Sequence, residues 1–517
     1  VRGPKPKIVL FHPRVSQPDL HRLPWPILQL AGNLDRDRFE VALVDGGKAP
    51  DAIGALVAAA EGASVAGISC FTGNQTIAAL KGARALRRAY PILPIVWGGA
   101  HPSMYVKETI EDPNADVVVK GQGEWAFAQV CEALVEGSEP KNIPGVTYKA
   151  KRGEIVFGAR AKMKDQNQFG RPPFEAIDPA RYLVHIMVGR RALTYHSSTG
   201  CPFPCQFCTI NFEFEFGWTG YSAERVVDEL AYLLRRAPEA DAIEFADSNL
   251  IVNPKRTVAI AEGMLKAGIV RPWIAFGRPD QLAKMPREVW KLVHESGCRR
   301  FFVGIESGDP DVLHTVKKEH TVEQIMTMAE RMAEFGITPD LSFTLGYPED
   351  PERDVRMSLD LARRLKRIVP SAVFVLNTYT PYESTPLFQD AVVHGLRPTT
   401  SLSEWESESW RNFGFRKKVT PWMSEKVDRL IRDFESIAGA AFFLEEDLYR
   451  FKDTKTRGRP LRDAMIRLAK RRWQKGQYEQ PFEVLLAKKL YFLMNPKLGE
   501  SGSPFVDGHQ AGVKESA

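Results

Sequence analysis

Runs of apolar residues alternate with helical patterns along the first quarter of the chain. Residues 7–11 (Lys-Ile-Val-Leu-Phe) form one apolar run, followed by a helical pattern over 26–34. Further runs at 39–44, 64–69, 95–97 and 116–120 alternate with helical periodicity over 75–90 and 124–136. Near-continuous apolar strands joined by helices predict an α/β, doubly wound parallel sheet, covered on both faces. Such a sheet takes its ligand beyond the carboxyl ends of the strands, at the topological switch point. The alternation resumes after residue 192. Strands are expected at 193–198, 242–246, 273–276, 300–305, 340–345 and 372–376, with helices at 223–236, 254–267, 286–295, 321–335 and 352–366. Functional groups should gather at the carboxyl ends of these six strands.

Between the two halves, 147–157 alternates around Arg152-Gly153 and reads as a short hairpin. The rest of 137–192 is not Gly/Ser-rich and is expected as a structured connection. From 388 the pattern is mainly helical, with an amphipathic stretch at 424–446 and a strongly basic one at 459–475. It is expected either as a structural cap on the second sheet or as a lid and substrate pocket of apolar or planar character. Residues 499–517 are Gly/Ser-rich and expected to be disordered.

Composition narrows the class. The chain has 517 residues, room for about three domains. It is 44% hydrophobic and 26% charged, which is ordinary for a soluble globular protein. No apolar run approaches the roughly 18 residues of a membrane span, so no integral membrane segment is expected. Residues 1–7 are basic and Pro-rich and do not read as a secretory signal, so a reducing cytoplasmic location is expected. The net charge is +6, with basic clusters at Arg299-Arg300, 416–418 and 450–472. These are a solvated helical surface, or a docking face for an anionic substrate or a membrane. No nucleic-acid motif accompanies them.

Half of the six cysteines fall within Cys201-Pro-Phe-Pro-Cys205-Gln-Phe-Cys208. Soft thiolates at this density hold an iron–sulfur cluster, zinc or cuprous copper. A zinc site completed by His196 is the alternative, and a disulfide framework is disfavoured in so long a chain. Three thiolates on a 4Fe–4S cluster leave one iron open to a substrate or cofactor. Cys70, Cys131 and Cys298 are expected as buried thiols.

The run resembles the CxxxCxxC signature of radical S-adenosylmethionine (SAM) enzymes, with the aromatic Phe207 before the last cysteine. The resemblance implies that Cys201, Cys205 and Cys208 ligate a 4Fe–4S cluster whose open iron chelates SAM. Reductive cleavage then gives methionine and a 5′-deoxyadenosyl radical. It also implies an open, partial (β/α)6 barrel for 193–387 and an external electron donor of the flavodoxin or ferredoxin type. The strand-end loops fit in order. Asp247 and Asn249 follow the second strand, Arg278 and Asp280 the third. Glu306 and Ser307 lie in Gly-Ile-Glu-Ser-Gly after the fourth, Gly346 and Pro348 after the fifth, and Tyr379 after the sixth. With Phe207 these are the implied SAM contacts. The family usually has Pro-Gly where this chain has Glu383-Ser384.

The loops of the first sheet resemble the cobalamin-binding domain of the cobalamin-dependent subgroup, a flavodoxin-like fold. They are Ser69-Cys70-Phe71-Thr72-Gly73, Gly98-Gly99-Ala100-His101 and Gly121-Gln122-Gly123-Glu124. The Asp-x-His-x-x-Gly motif that ligates cobalt from below in many cobalamin proteins is absent; His12 stands in Phe-His-Pro and does not fit the spacing. The resemblance therefore implies cobalamin held without a histidine ligand, its lower face covered by the 70–72 loop. The expected domains are cobalamin-binding (1–136), connection (137–192), radical SAM barrel (193–387), helical substrate or cap region (388–498) and tail (499–517). The expected reaction is C-methylation of an unactivated carbon through methylcobalamin. Radical oxidative cyclisation or carbon–carbon coupling on a tetrapyrrole or lipid is the alternative outcome. A non-catalytic cobalamin sensor or carrier is the alternative class, opposed by the intact cysteine triad and Glu306. No catalytic acid or base is assigned, because radical abstraction depends on geometry more than on a tuned pKa.

Overall fold

The computed structural model describes residues 4–14, 21–407, 410, 420–442 and 457–495. The tail at 499–517, the cluster at 416–418 and the end of the 424–446 stretch lie outside the described residues.

Two seven-stranded sheets stand in series. The first contains β1 (Lys7–His12), β2 (Glu40–Asp45), β3 (Ala63–Ser69), β4 (Ile95–Gly98), β5 (Val117–Val119), β6 (Val146–Lys149) and β7 (Ile155–Val156), in the order β2-β1-β3-β4-β5-β6-β7. β1 to β5 are parallel. Separate apolar clusters pack on its two faces, one around Phe11, Ile68 and Trp97 and the other around Leu10, Val117 and Phe127. This is the doubly wound sheet that unbroken apolar strands require. The hairpin expected in the connection instead joins this sheet: β6 pairs antiparallel with β5, and β7 with β6. Its alternating pattern suits an antiparallel edge with one wet face, so the sheet reaches past residue 136 to Val156.

The second sheet contains β8 (Val184–Ile186), β9 (Gly189–Tyr195), β12 (Ala242–Phe245), β13 (Trp273–Gly277), β14 (Cys298–Glu306), β15 (Thr338–Leu345) and β16 (Val373–Thr378), in the order β16-β15-β14-β13-β12-β9-β8. Six strands are parallel and β8 adds antiparallel at the edge. The strand expected at 193–198 ends earlier, at Tyr195. The carboxylate of Asp247 accepts from the backbone N–H groups of Ser197 (2.5 Å) and Ser198 (3.1 Å), and from the Ser197 hydroxyl, which turns the chain. A small hairpin follows, β10 (Ser198–Gly200) against β11 (Trp218–Gly220), and it brackets the cysteine loop.

The crossover helices are fixed by local signals. Thr321 and Gln324 form a reciprocal capping box at the start of Val322–Glu334. Ser222 caps Ala223–Arg236, whose last turn holds Arg235 and Arg236 at the negative end of the helix dipole. The helices Glu425–Ala441 and Arg459–Lys475 pack on the sheet's edge, where Trp473 meets Phe374 of β16 at 6.0 Å and Phe434 at 5.2 Å.

Three attachments weld the sheets together. Arg22 makes a bidentate pair with buried Glu244 of β12, at 2.6 and 2.9 Å. Trp25 inserts edge-on against Tyr195 (5.2 Å) and Phe174 (5.6 Å). From the far end of the barrel, residues 399–406 return to the first sheet, where Leu402 and Trp405 enter its core. There Thr399 and Trp405 both donate to Glu108.

Candidate active site

The cysteine loop is held from several sides. Asn211 donates to the Cys205 carbonyl at 2.9 Å, Gln206 N–H to the Val316 carbonyl at 2.9 Å, and Cys208 N–H to the Cys205 carbonyl at 3.2 Å. Cys205 is buried, and Cys201 and Cys208 are partly exposed. Arg278 Nη1 lies 3.3 Å from Cys205 Sγ. Its Nε donates to Asp280 at 3.0 Å, its Nη2 to the Lys318 carbonyl, and its plane lies over Phe203 at 3.9 Å. Burial pushes the thiols of Cys201 and Cys208 up, that of Cys208 to about 12. Metal ligation reverses that preference, since a coordinated thiol is held as thiolate. Three soft donors in one loop beside a buried cation fit an iron–sulfur cluster. His196, the fourth ligand of the zinc alternative, packs against Trp25 at 5.5 Å. Among the described residues no three His, Cys, Asp or Glu side chains stand together as a single-ion site.

Glu306 sits where β14 bulges against β15, in the left-handed region at φ +66°. The bulge turns its carboxylate onto Lys318 Nζ at 2.6 Å and the Thr344 hydroxyl at 2.8 Å. Burial alone would lower Lys318, but the charges of Glu306 and Cys205 outweigh it and hold the ammonium above its ordinary value. That ammonium lies 5.7 Å from the Phe207 ring. Phe207 meets Tyr347 edge-on at 6.3 Å, Tyr347 stacks on Tyr379 at 4.8 Å, and Trp422 follows at 6.1 Å. The hydroxyls of Tyr347 and Tyr379 are buried and have no hydrogen-bond partner among the described residues. Phe207, Glu306, Gly346 and Tyr379 are thus brought around one aromatic wall beside the cysteine loop, and Pro348 lies buried in the adjoining turn.

The other expected SAM contacts are placed differently. Asp247 is committed to Ser197 and Ser198, as above. Asn249 caps Ile251 and donates to Gln281 at 2.7 Å. Asp280 faces Arg278, and Arg278 serves the cysteine loop. The Ser307 hydroxyl donates to Asp354 at 2.5 Å. These polar side chains hold the strand-end loops in shape. Sequence reasoning did not single out Asp354, which also accepts from Gly346 N–H at 2.8 Å and so ties the β14 and β15 loops together. Burial outweighs those hydrogen bonds and raises its carboxyl to about 6. Lys318 was missed as well; its neighbours Lys317 and His320 make the segment polar, but only the fold aims it at Glu306.

The loops of the first sheet interlock. Cys70 N–H donates to the Gly98 carbonyl and His101 N–H to the Cys70 carbonyl, both at 3.1 Å. Gly99 has φ +92°, and a Cβ there would stand 2.8 Å from the Cys70 carbonyl oxygen, so only glycine allows this approach. Ser103 Oγ accepts from Gly121 N–H at 3.0 Å and donates to the Gly99 carbonyl at 2.8 Å. Ser69, Cys70 and Ala100 are buried within this floor, whereas Phe71 is 54% exposed above it. Thr72, next to Gly73, shares a hydrogen bond of 3.1 Å with His101 Nδ1.

His101 itself does not reach the loop surface. It is fully buried between Tyr105 and Trp405, each 4.9 Å away, and burial pushes it down to about 3, so it is neutral. Its Nε2 has no hydrogen-bond partner among the described residues. His12 is buried beside Gln75. The Gln122 side chain is tied to the backbone of Lys164. Gly123 opens the helix Gly123–Val135, and Glu124 in its first turn is buried, its carboxyl raised to about 7.

The two sets of loops meet. Gly121, at φ +76°, lies against the helix Thr209–Glu213 that follows the cysteine triad: a Cβ on it would come within 2.9 Å of the Glu213 carbonyl. A cleft of about 320 Å³ runs along this seam, lined by Lys120, Gly121, Gln122, Arg160, Met163 and Glu213. The Glu213 carboxyl makes no hydrogen bond or ion pair with a described residue, and burial pushes it up to about 8. Exposed Phe71 and the glycine-lined floor suit a large, partly apolar cofactor beyond the strand ends; the seam cleft, which Phe71 does not line, would take only part of one.

Comparison with known proteins agrees with this division. Residues 195–362 match the Radical SAM superfamily, and residues 15–131 the B12 binding domain. An uncharacterized methyltransferase of Pyrococcus horikoshii is 28% identical over 342 residues, covering 65% of this chain and 70% of that protein. The anaerobic magnesium-protoporphyrin IX monomethyl ester cyclase of Rubrivivax gelatinosus is 23% identical over 402 residues, covering 74% of this chain and 67% of that one. The cobalamin-dependent S-adenosylmethionine radical enzyme OxsB, solved with aqua-cobalamin and S-adenosylmethionine, superposes with a TM-score of 0.69 at 16% identity, over 96% of this chain and 80% of its own.

Proposed function

The chain belongs to the cobalamin-binding radical SAM enzymes, and on that premise we propose that it methylates an unactivated carbon of an apolar or planar small molecule. When bound, the 4Fe–4S cluster with SAM supplies a hydrogen-abstracting radical, and cobalamin supplies the methyl group. The chain's own residues hold, orient and shield. Cys201, Cys205 and Cys208 would hold the cluster, and Arg278 fixes the Cys205 sulfur. Phe207, Glu306, Gly346 and Tyr379 border the place for SAM, with Lys318 and Asp354 keeping that border in shape. The loops at 69–73, 98–101 and 121–124 would hold cobalamin. The Tyr347–Tyr379–Trp422 wall supports a substrate with a flat or apolar surface.

The observation that carries this reading is the contact between Gly121 and the helix behind Cys208. It sets the strand-end loops of one sheet against the cluster loop of the other, the juxtaposition that methyl transfer to a newly formed radical needs. The test is turnover of the reconstituted chain with methyl-labelled SAM and a flavodoxin- or ferredoxin-type donor. A labelled product heavier by one methylene unit, with S-adenosylhomocysteine, supports methylation. 5′-Deoxyadenosine formed alongside an unlabelled, cyclised or coupled product overturns it.

The burial of His12 and His101 supports a cobalt centre without a histidine ligand. In chain labelled with 15N-histidine the electron paramagnetic resonance spectrum of the cob(II)alamin form should match that of unlabelled chain; a label-dependent change in nitrogen splitting would refute this.

A further inference from the structure

The helices Arg459–Lys475 and Phe482–Met494 lie against each other at the outer edge of the barrel. The first buries Met465, Ala469 and Trp473, the second Val484, Ala487 and Tyr491. The outward side of the second helix is also largely apolar, interrupted by exposed Lys489 and by Glu483, which pairs with Arg472. Phe482 is 70% exposed, Leu486 60%, Leu490 45% and Leu493 69%. Their spacing of four, four and three residues sets them in one stripe along the helix. Leu485 and Met494 widen it, so this helix carries six of the thirteen exposed large hydrophobics among the described residues. Apolar surface concentrated in this way marks an interaction site, whereas scattered exposed residues need no explanation.

The neighbouring helix identifies the partner. Arg459–Lys475 has seven Lys or Arg and one Asp, a net +6 equal to the formal charge of the entire chain. Arg467, Lys470, Arg471 and Lys475 are exposed and form no ion pair with a described residue. Lys489 adds a cation on the apolar helix itself. An apolar stripe flanked by unpaired cations is the pattern of helices that lie in the plane of a bilayer surface. A second copy of the chain fits less well, because pairing two stripes would bring their cations together. Crossing is excluded for this helix, since 13 residues are too few to span a bilayer, and no described helix is long and apolar enough to do so.

We infer that this helix pair docks the enzyme on an anionic membrane surface, with Phe482, Leu486, Leu490 and Leu493 entering the headgroup region and Arg467, Lys470, Arg471 and Lys475 facing lipid phosphates. The test is flotation of the full-length, cluster-reconstituted chain with vesicles of phosphatidylcholine alone or mixed with phosphatidylglycerol. The chain should float with the mixed vesicles and be released at high salt, which screens the charges. The pair Lys470→Gln/Arg471→Gln should weaken partitioning about 30-fold, at roughly tenfold or less for each lost cation. The pair Leu486→Glu/Leu490→Glu should abolish flotation while cluster absorbance and melting temperature stay unchanged, since these side chains face outward. Failure to bind mixed vesicles at low salt overturns the inference, as does equal binding to both vesicle types. So does a dimer, seen by sedimentation, that the Leu486→Glu/Leu490→Glu variant dissolves.

Discussion

Arg278 directs every arm of its guanidinium toward the cysteine loop or its supports. Hydrogen bonds and positive charge at a cluster sulfur make the reduced state easier to reach. Arg278→Lys retains a charge but loses the planar fork. It should therefore give a chain that still takes up iron and sulfide but has a more negative cluster midpoint potential. A spectroscopically monitored redox titration checks this, and an unchanged potential would leave Arg278 a purely structural residue. Glu213 permits a second prediction. Its carboxyl is raised in the folded protein, so the folded state holds a proton that the unfolded chain releases above its ordinary value of 4.5. The sign follows: this group favours folding less as pH rises from about 4.5 to 8, and not at all differently beyond. Glu213→Gln should stabilise the cobalamin-free protein relative to wild type by about 3 kcal/mol more at pH 8 than at pH 5.5. Denaturant titrations at the two pH values measure the difference, and a pH-independent difference would contradict it. At this scale the cysteine triad was legible because its spacing is local. Lys318, Asp354 and the contact of Arg278 with Cys205 were not, since each is defined by a tertiary contact, 12, 47 and 73 residues away in sequence, that no local pattern announces.

The return segment Leu402–Glu406 shows what a single short element contributes. Trp405 is 1% exposed, covers His101 and Tyr105, and donates to Glu108. Trp405→Ala should cost about 3–5 kcal/mol, the usual penalty for emptying a large buried aromatic site. Calorimetry should show the lowered midpoint, and a loss near zero would mean the segment is not part of the first sheet's core. Periodicity located the parallel strands, because fully buried parallel strands leave continuous apolar runs, and most crossover helices, but it missed the short helices Ala52–Ala59, Ala100–Met104 and Val106–Glu111 of the first sheet. It misplaced the elements whose limits are set by partners. The 193–198 strand stops at Tyr195 because Asp247 captures the next two amides. The 147–157 hairpin belongs to the first sheet because β5 offers it a free edge. The segment 399–406 has too few apolar residues to announce that it crosses to the other sheet.

For the whole molecule, the doubly wound sheet and the open barrel are joined by the Arg22–Glu244 fork, by Trp25 and by the returning segment. The order of the two sheets was readable from the chain, and their mutual placement was not, since all three attachments join residues far apart in sequence, up to 297 positions. The third attachment also imposes a timetable. Glu108 and Trp405 are 297 residues apart, so at ribosomal rates the floor of the first sheet emerges roughly 15–60 s before the segment that closes over it. Cofactor capture then has a natural window during synthesis. Chain made in cells supplied with cobalamin should retain more of it after purification than finished chain soaked in the same concentration, as cobalt content per polypeptide would show. Equal loading by both routes would mean that the returning segment opens freely, and the history of the chain would leave no mark on its composition.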